Sequence, residues 1–233
     1  MNKNSILVSL EEVKTLLVKA QLYDYENTSR PRSVSGNKLS ANFLSMMFSD
    51  DYDAIYKTAM KNLDYDFVLF DGSFLQFSVT GHANNEIIRY AYFPNPRSHR
   101  TYYEFLIDNE TTYDEAGDMF TEEYEQYVSE ARLKNIVTPI RYDYDYDAYA
   151  KDSHHPASHL HIGLEENVRI PISKIITPQV FLLLVIRNIY FDHWKHAQLD
   201  DTFRNIAERA KQQCPDLAAD KFTVFEKRQP FIC

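Results

Sequence analysis

The sequence predicts an α+β fold: a mostly antiparallel sheet, built as a meander plus a second hairpin, packed on helices. Three observations point there. The apolar period is helical before residue 65, close to two through the middle of the chain, and helical again after 176, so strands cluster instead of alternating regularly with helices. Residues 67–70 and 74–80 flank Asp71-Gly72, the pattern of a tight hairpin. Thr177-Pro178 opens a helix that is apolar nearly all round at its start, the mark of a central buried helix, placed near 178–197. The expected organisation is one domain over 1–233, with a helical part at 1–65, a sheet with one inserted helix at 66–176, and a helical part at 177–233.

In chain order, Ser9 and Glu12 form a capping box before Val13, Leu16, Leu17 and Ala20 at helical spacing. Residues 26–39 read as a loop carrying Arg30 and Arg32, and 40–48 as a short apolar helix. Ser49 is the expected N-cap of the next helix, whose apolar stripe is Tyr52, Ile55, Tyr56, Ala59 and Leu63. After the hairpin come a turn at 81–85, a third strand at 87–93 and a basic loop at 94–100. Residues 102–108 read as a fourth strand, 121–133 as a charged helix, and 136–146 as strand again. Segments 159–164 and 167–172 read as extended, 201–212 as a last helix, and 222–225 as an edge strand.

Composition removes several classes of function. The formal charge of −9 repels polyanions at long range, which disfavours broad DNA binding and leaves only a local basic patch or a bound cation to admit nucleic acid. Only 5 glycines are present, and neither the Walker nor the dinucleotide-binding pattern occurs. The cysteines, Cys214 and Cys233, make no disulfide framework, so a reducing, cytoplasmic setting is expected. The longest apolar run, 180–186, falls well short of the roughly 20 residues a bilayer span needs, and no membrane association is expected.

One stretch carries chemistry. From Arg141 to Asp147 the chain alternates Arg/Asp with Tyr, so on a strand Tyr142, Tyr144 and Tyr146 share one face and Arg141, Asp143, Asp145 and Asp147 the other. His159 and His161, two apart, also share a face, with Leu160 and Ile162 turned to the core. If the two segments pair across a loop near 148–157, carboxylates and imidazoles converge. Asp143, Asp145, His159 and His161 are then candidate ligands for Zn²⁺, Mn²⁺ or Fe²⁺, and the same four are the candidate catalytic residues. Without a metal, His159 and His161 are the candidate acid and base for phosphodiester cleavage. Arg141, Arg97 and Arg100 are candidates for holding substrate phosphate. The plainer account is a solvated His-x-His pair on a half-buried Tyr-Asp strand. Asp192, His193 and His196 have metal-face spacing on a helix but are better read as a helix C-terminus that favours imidazole. His82 reads as a surface turn residue, and Cys214 has no basic neighbour in sequence to activate it.

At 141–163 the chain resembles a family of uncharacterised bacterial proteins, a domain of unknown function. The shared features are the Tyr-Asp strand at 142–147, the His-Pro-x-x-His-x-His-x-Gly segment at 155–163, Arg169-Ile170-Pro171, and the Pro178-x-x-Phe181 helix start. That label implies no activity. The Arg-Tyr-Asp strand before a His-rich loop is also similar to TumE-like toxins, and this resemblance implies action on nucleic acid. Two functions follow. One is a nuclease or other phosphodiester-acting effector, toxin-like or phage-defence-like, with a nucleic-acid partner held at the local site. The other is a non-catalytic protein-binding module, an immunity or accessory subunit, with an acidic, Tyr-rich interface.

Overall fold

The computed structural model describes residues 3–29, 39–82, 85–149, 155–164 and 168–232. Among these, β1 (Tyr23–Glu26), β2 (Phe67–Leu69), β3 (Phe74–His82), β4 (Asn85–Phe93), β5 (Ile140–Asp145), β6 (Ser158–Ile162) and β7 (Ile170–Pro171) form one seven-stranded sheet. The strands lie in chain order and every neighbouring pair is antiparallel. The β2–β3 hairpin turns at Gly72, whose φ of +76° suits glycine.

Side-chain alternation sorts the sheet into two faces. Tyr90 and Tyr92 of β4, Tyr142 of β5 and Leu160 of β6 enter the main core. There they meet Leu16 and Leu17 of α1 (Lys3–Lys19), Phe181 and Ile186 of α7 (Pro178–Ile189) and Phe203 of α9 (Asp201–Gln212). Phe181 is fully buried and packs its ring against Phe77 and Tyr90. Among the described residues, α2 (Ala41–Met46) and α3 (Tyr52–Lys61) roof part of the opposite face, laying Phe43, Tyr52 and Ile55 on Val68, Phe74, Ala91 and Phe93. On the same face, β4 to β6 present polar side chains.

The central buried helix is α7, with Thr177 as N-cap and Pro178 in the first turn. It stops at Tyr190, where the backbone leaves helical geometry, and the chain resumes as α8 (Phe191–Ala197). The Tyr190 hydroxyl donates to Asp71 at 2.9 Å and lies 3.0 Å from the Tyr92 hydroxyl, anchoring the break in the core.

Four expectations need correction. Residues 102–108 form a helix, α4 (Tyr102–Asp108), because Thr101 and Glu104 close a reciprocal capping box that outweighs the aromatic, strand-like composition. Likewise Thr223 and Glu226 cap α10 (Val224–Lys227), so a helix start stands where the edge strand was expected at 222–225. Ser9 lies inside α1 instead of capping it. The cap of α3 is Asp51, which accepts from the Ala54 amide at 3.0 Å, while the Ser49 hydroxyl accepts from Asp51. β1 falls at the edge of the expected 26–39 loop and was not anticipated, nor was the single-turn α5 (Tyr113–Ala116) ahead of α6 (Thr121–Glu130). Arg30, Arg32 and His154 lie outside the described residues. No helix among the described residues is long and apolar enough to cross a membrane.

Candidate metal centre in an arginine-lined cleft

The pairing expected from the sequence forms. Across β4, β5 and β6 the register places Arg89 opposite Asp143 and Asp143 opposite His159, and Ala91 opposite Arg141 and Arg141 opposite His161. All six lie on the face opposite the main core, because Tyr90, Tyr142 and Leu160 between them point the other way. Each polar side chain is thus positioned by a buried neighbour one residue away.

Asp143, His159 and His161 converge. One ligand atom from each lies within 4.8 Å of the other two, and all three residues are largely withdrawn from solvent. His159 Nδ1 is 2.7 Å from the Pro156 carbonyl. A carbonyl only accepts, so Nδ1 carries the proton and Nε2 presents a bare lone pair. That lone pair faces His161 Nε2 at 3.0 Å, and His161 Nε2 is 3.3 Å from Asp143 Oδ2. One proton on His161 Nε2 therefore sits among acceptors on both neighbours, and a divalent cation could take its place. A backbone carbonyl on the far nitrogen is the usual way a metal-binding imidazole is oriented. His161 Nδ1 is buried and has no partner among the described residues.

The electrostatics are those of an uncharged His159 beside an ionised Asp143 carboxylate. Burial, followed by the proximity of His161, lowers the pKa of His159 to about 3, so it stays uncharged and ligand-ready at neutral pH. Burial alone would raise Asp143. The hydrogen bond from His161 and the guanidinium groups of Arg141 and Arg89 outweigh it and hold the carboxyl well below its ordinary range. Arg89 Nε donates to Oδ1 and Arg141 Nε to Oδ2, each at 2.8 Å. A carboxylate has about four acceptor sites, so these contacts leave capacity for a metal.

A cleft of about 190 Å³ opens on this group, lined by Arg89, Arg141, Asp143, His155, His159 and Arg169 among others. Arg169 and His155 were not singled out as site residues from the sequence, nor was Arg89. Arg169 Nε and His155 Nδ1 are buried and without a partner among the described residues. The His155 ring meets that of His159 edge-on, with centroids 5.1 Å apart. Burial and the nearby Arg169 charge lower the pKa of His155. Arg169 and His155 do stand in the motifs quoted above. Arg89 carried a weaker signal, as a lone cation between the apolar Ile88 and Tyr90 of a strand.

Three expected site residues have other partners. Asp145 lines the cleft but is outside the ligand group. Its carboxylate accepts from the amides of Asp147 and Ala148 at 3.0 and 3.1 Å and shapes the turn leaving β5. Arg97 donates to the carbonyls of Ser129 in the last turn of α6 and of Ala131, its C-cap. Arg100 pairs with Asp108 of α4. Both basic-loop arginines therefore fasten the inserted helices instead of lining the cleft. Elsewhere, His193 Nδ1 is tied to the Ala20 carbonyl at 2.8 Å and His196 to the Gln21 amide group, consistent with structural roles. Cys214 is buried, which raises its thiol pKa and keeps it unreactive.

A family model described as "Uncharacterized conserved protein (DUF2290)" matches residues 17–230. No curated protein and no solved structure matches the chain.

Proposed function

We propose that this chain, which belongs to the uncharacterised conserved family DUF2290, is a divalent-metal-dependent phosphodiester hydrolase, a nuclease of the kind expected in a toxin-like or phage-defence-like effector. The observation that carries the reading is the buried Asp143–His159–His161 group beneath a cleft lined by Arg89, Arg141 and Arg169, in a protein of net charge −9. A locally cationic cleft on an acidic surface favours an anionic ligand that is drawn to one place and not to the surface at large.

His159 Nε2, His161 Nε2 and a carboxylate oxygen of Asp143 would hold the ion, which would supply Lewis acidity when bound. Arg89, Arg141 and Arg169 grip the non-bridging oxygens of the phosphate. Water adds to phosphorus as it gives up a proton, one P–O ester bond breaks, and the departing oxygen takes a proton from solvent water. His155 lines the same cleft, is neutral at pH 7 and has an unpartnered Nδ1, so it takes the proton that the attacking water loses.

The test is elemental mass spectrometry on untagged protein, wild type beside the H159Q/H161Q double variant, followed by oligonucleotide cleavage with and without chelator. Roughly stoichiometric Zn, Mn or Fe in wild type only, with chelator-sensitive cleavage, supports the reading. A folded wild type that retains no divalent ion and cleaves nothing when ions are supplied overturns it, and leaves the non-catalytic binding module, which has no need of the histidines.

A further inference from the structure

A second cleft, of about 290 Å³, adjoins the first and shares Arg141 and His161 with it as a common wall. Its character is different. Phe93 of β4 contributes a buried apolar floor, and Met47, Phe48 and Leu164 surround it. Phe48, in the turn between α2 and α3, leaves 84% of its surface to solvent, and Leu164, just past β6, leaves 40%. Ser49 and Asp50 add oxygen acceptors at the rim.

Resting on the phosphodiester reading, we propose that this cleft receives one unstacked nucleobase, so that the substrate is a single-stranded nucleic acid. A phosphate over Arg141 in the first cleft has its own nucleoside within reach of the second, since the two share that residue. An exposed phenyl ring beside an apolar floor is the recognised platform for a base face, and stacking tolerates any base. The volume is close to the lower bound of small-ligand pockets, about 300 Å³, which suits a single base and not a paired one. A duplex keeps its bases stacked and paired, and it pays to expose one. The rim acceptors suit the N–H groups on a base edge.

The experiment is fluorescence anisotropy with short phosphorothioate strands, as RNA and as DNA, each compared with its blunt duplex. The proteins are wild type, Phe48→Ala and Phe48→Tyr, all with metal content measured. Phe48 is exposed, so neither change disturbs the core. The expected result is single strand bound about ten-fold tighter than duplex. Phe48→Ala should lose about ten-fold on the strand with metal content unchanged, and Phe48→Tyr should restore it. Duplex bound as tightly as single strand, or binding indifferent to Phe48→Ala, overturns the base pocket and leaves the phosphodiester reading standing. Failure to bind either form, together with failure to cleave, overturns both.

Discussion

The two faces of the β4–β6 sheet are made by the same three strands and differ by one residue in phase. On one, Tyr90, Tyr142 and Leu160 are sealed under α1 and α7 in an almost wholly apolar core. On the other, Arg89, Asp143 and His159 stand across the strands in register, with Arg141 and His161 beside them. The first face is stabilised by area removed from water. The second withdraws charges and imidazoles from water and offsets that cost only by pairing them with each other. On the first face volume and shape dominate, with a few tyrosine hydroxyls such as that of Tyr142 also bonded to Ser158 and Ile176, whereas on the second the atom type and its direction matter throughout.

That contrast orders the expected effects of substitution. Phe181→Ala, on the apolar face, should be the most damaging to the fold, costing about 3–5 kcal/mol as measured by urea unfolding. Asp143→Asn, on the polar face, should cost less, about 2 kcal/mol after allowing for the solvent that reaches Arg89. It should nevertheless abolish metal retention and cleavage, read by elemental analysis and oligonucleotide assay. If Asp143→Asn instead unfolds the protein as severely as Phe181→Ala, the polar row is a structural network and the contrast fails.

A pH series on chelated protein sharpens the comparison. The folded-state pKa of His159 lies at about 3, below the ordinary imidazole value near 6.5. The unfolded chain therefore takes up a proton as the pH falls through 6.5 while the folded chain does not. The stability contributed by this residue is fully present above about pH 6.5 and declines toward pH 3. His159→Gln should flatten that part of the stability profile relative to wild type. The smallest effect is expected from Asp145→Ala, which removes two turn hydrogen bonds. It should cost about 1 kcal/mol and leave metal content and cleavage unchanged. Loss of metal in that variant would return Asp145 to the ligand set.

Local signals were readable where the determinant is itself local. The period-two alternation of Arg141, Asp143 and Asp145 with tyrosines needs only a strand to sort the residues by face, and the same holds for His159 and His161. The Thr177-Pro178 helix start and the Asp71-Gly72 hairpin are equally short-range, and both are present. Helix α4 was misread because aromatic residues dominate 102–108, and the capping box that decides the matter lies in two polar side chains, Thr101 and Glu104. Asp145 was placed with the ligands because it shares a face with Asp143. Face alone does not show that a residue at the end of a strand bonds to the turn that follows it.

By itself, the sequence determined the fold class, the family-bearing motifs and the residue types able to hold an ion, because these depend on periodicity and side-chain chemistry. The tertiary structure decided which of them meet. Register placed Arg89 on Asp143 and His161 beside both, and it is set by long-range pairing of strands far apart in the chain. It also decided that Arg141 and His161 form the wall shared by two clefts. A strand pattern specifies which face a residue occupies. How deeply that face is buried depends on packing elsewhere in the chain, and here it is where the charges collect, with His159 and His161 buried.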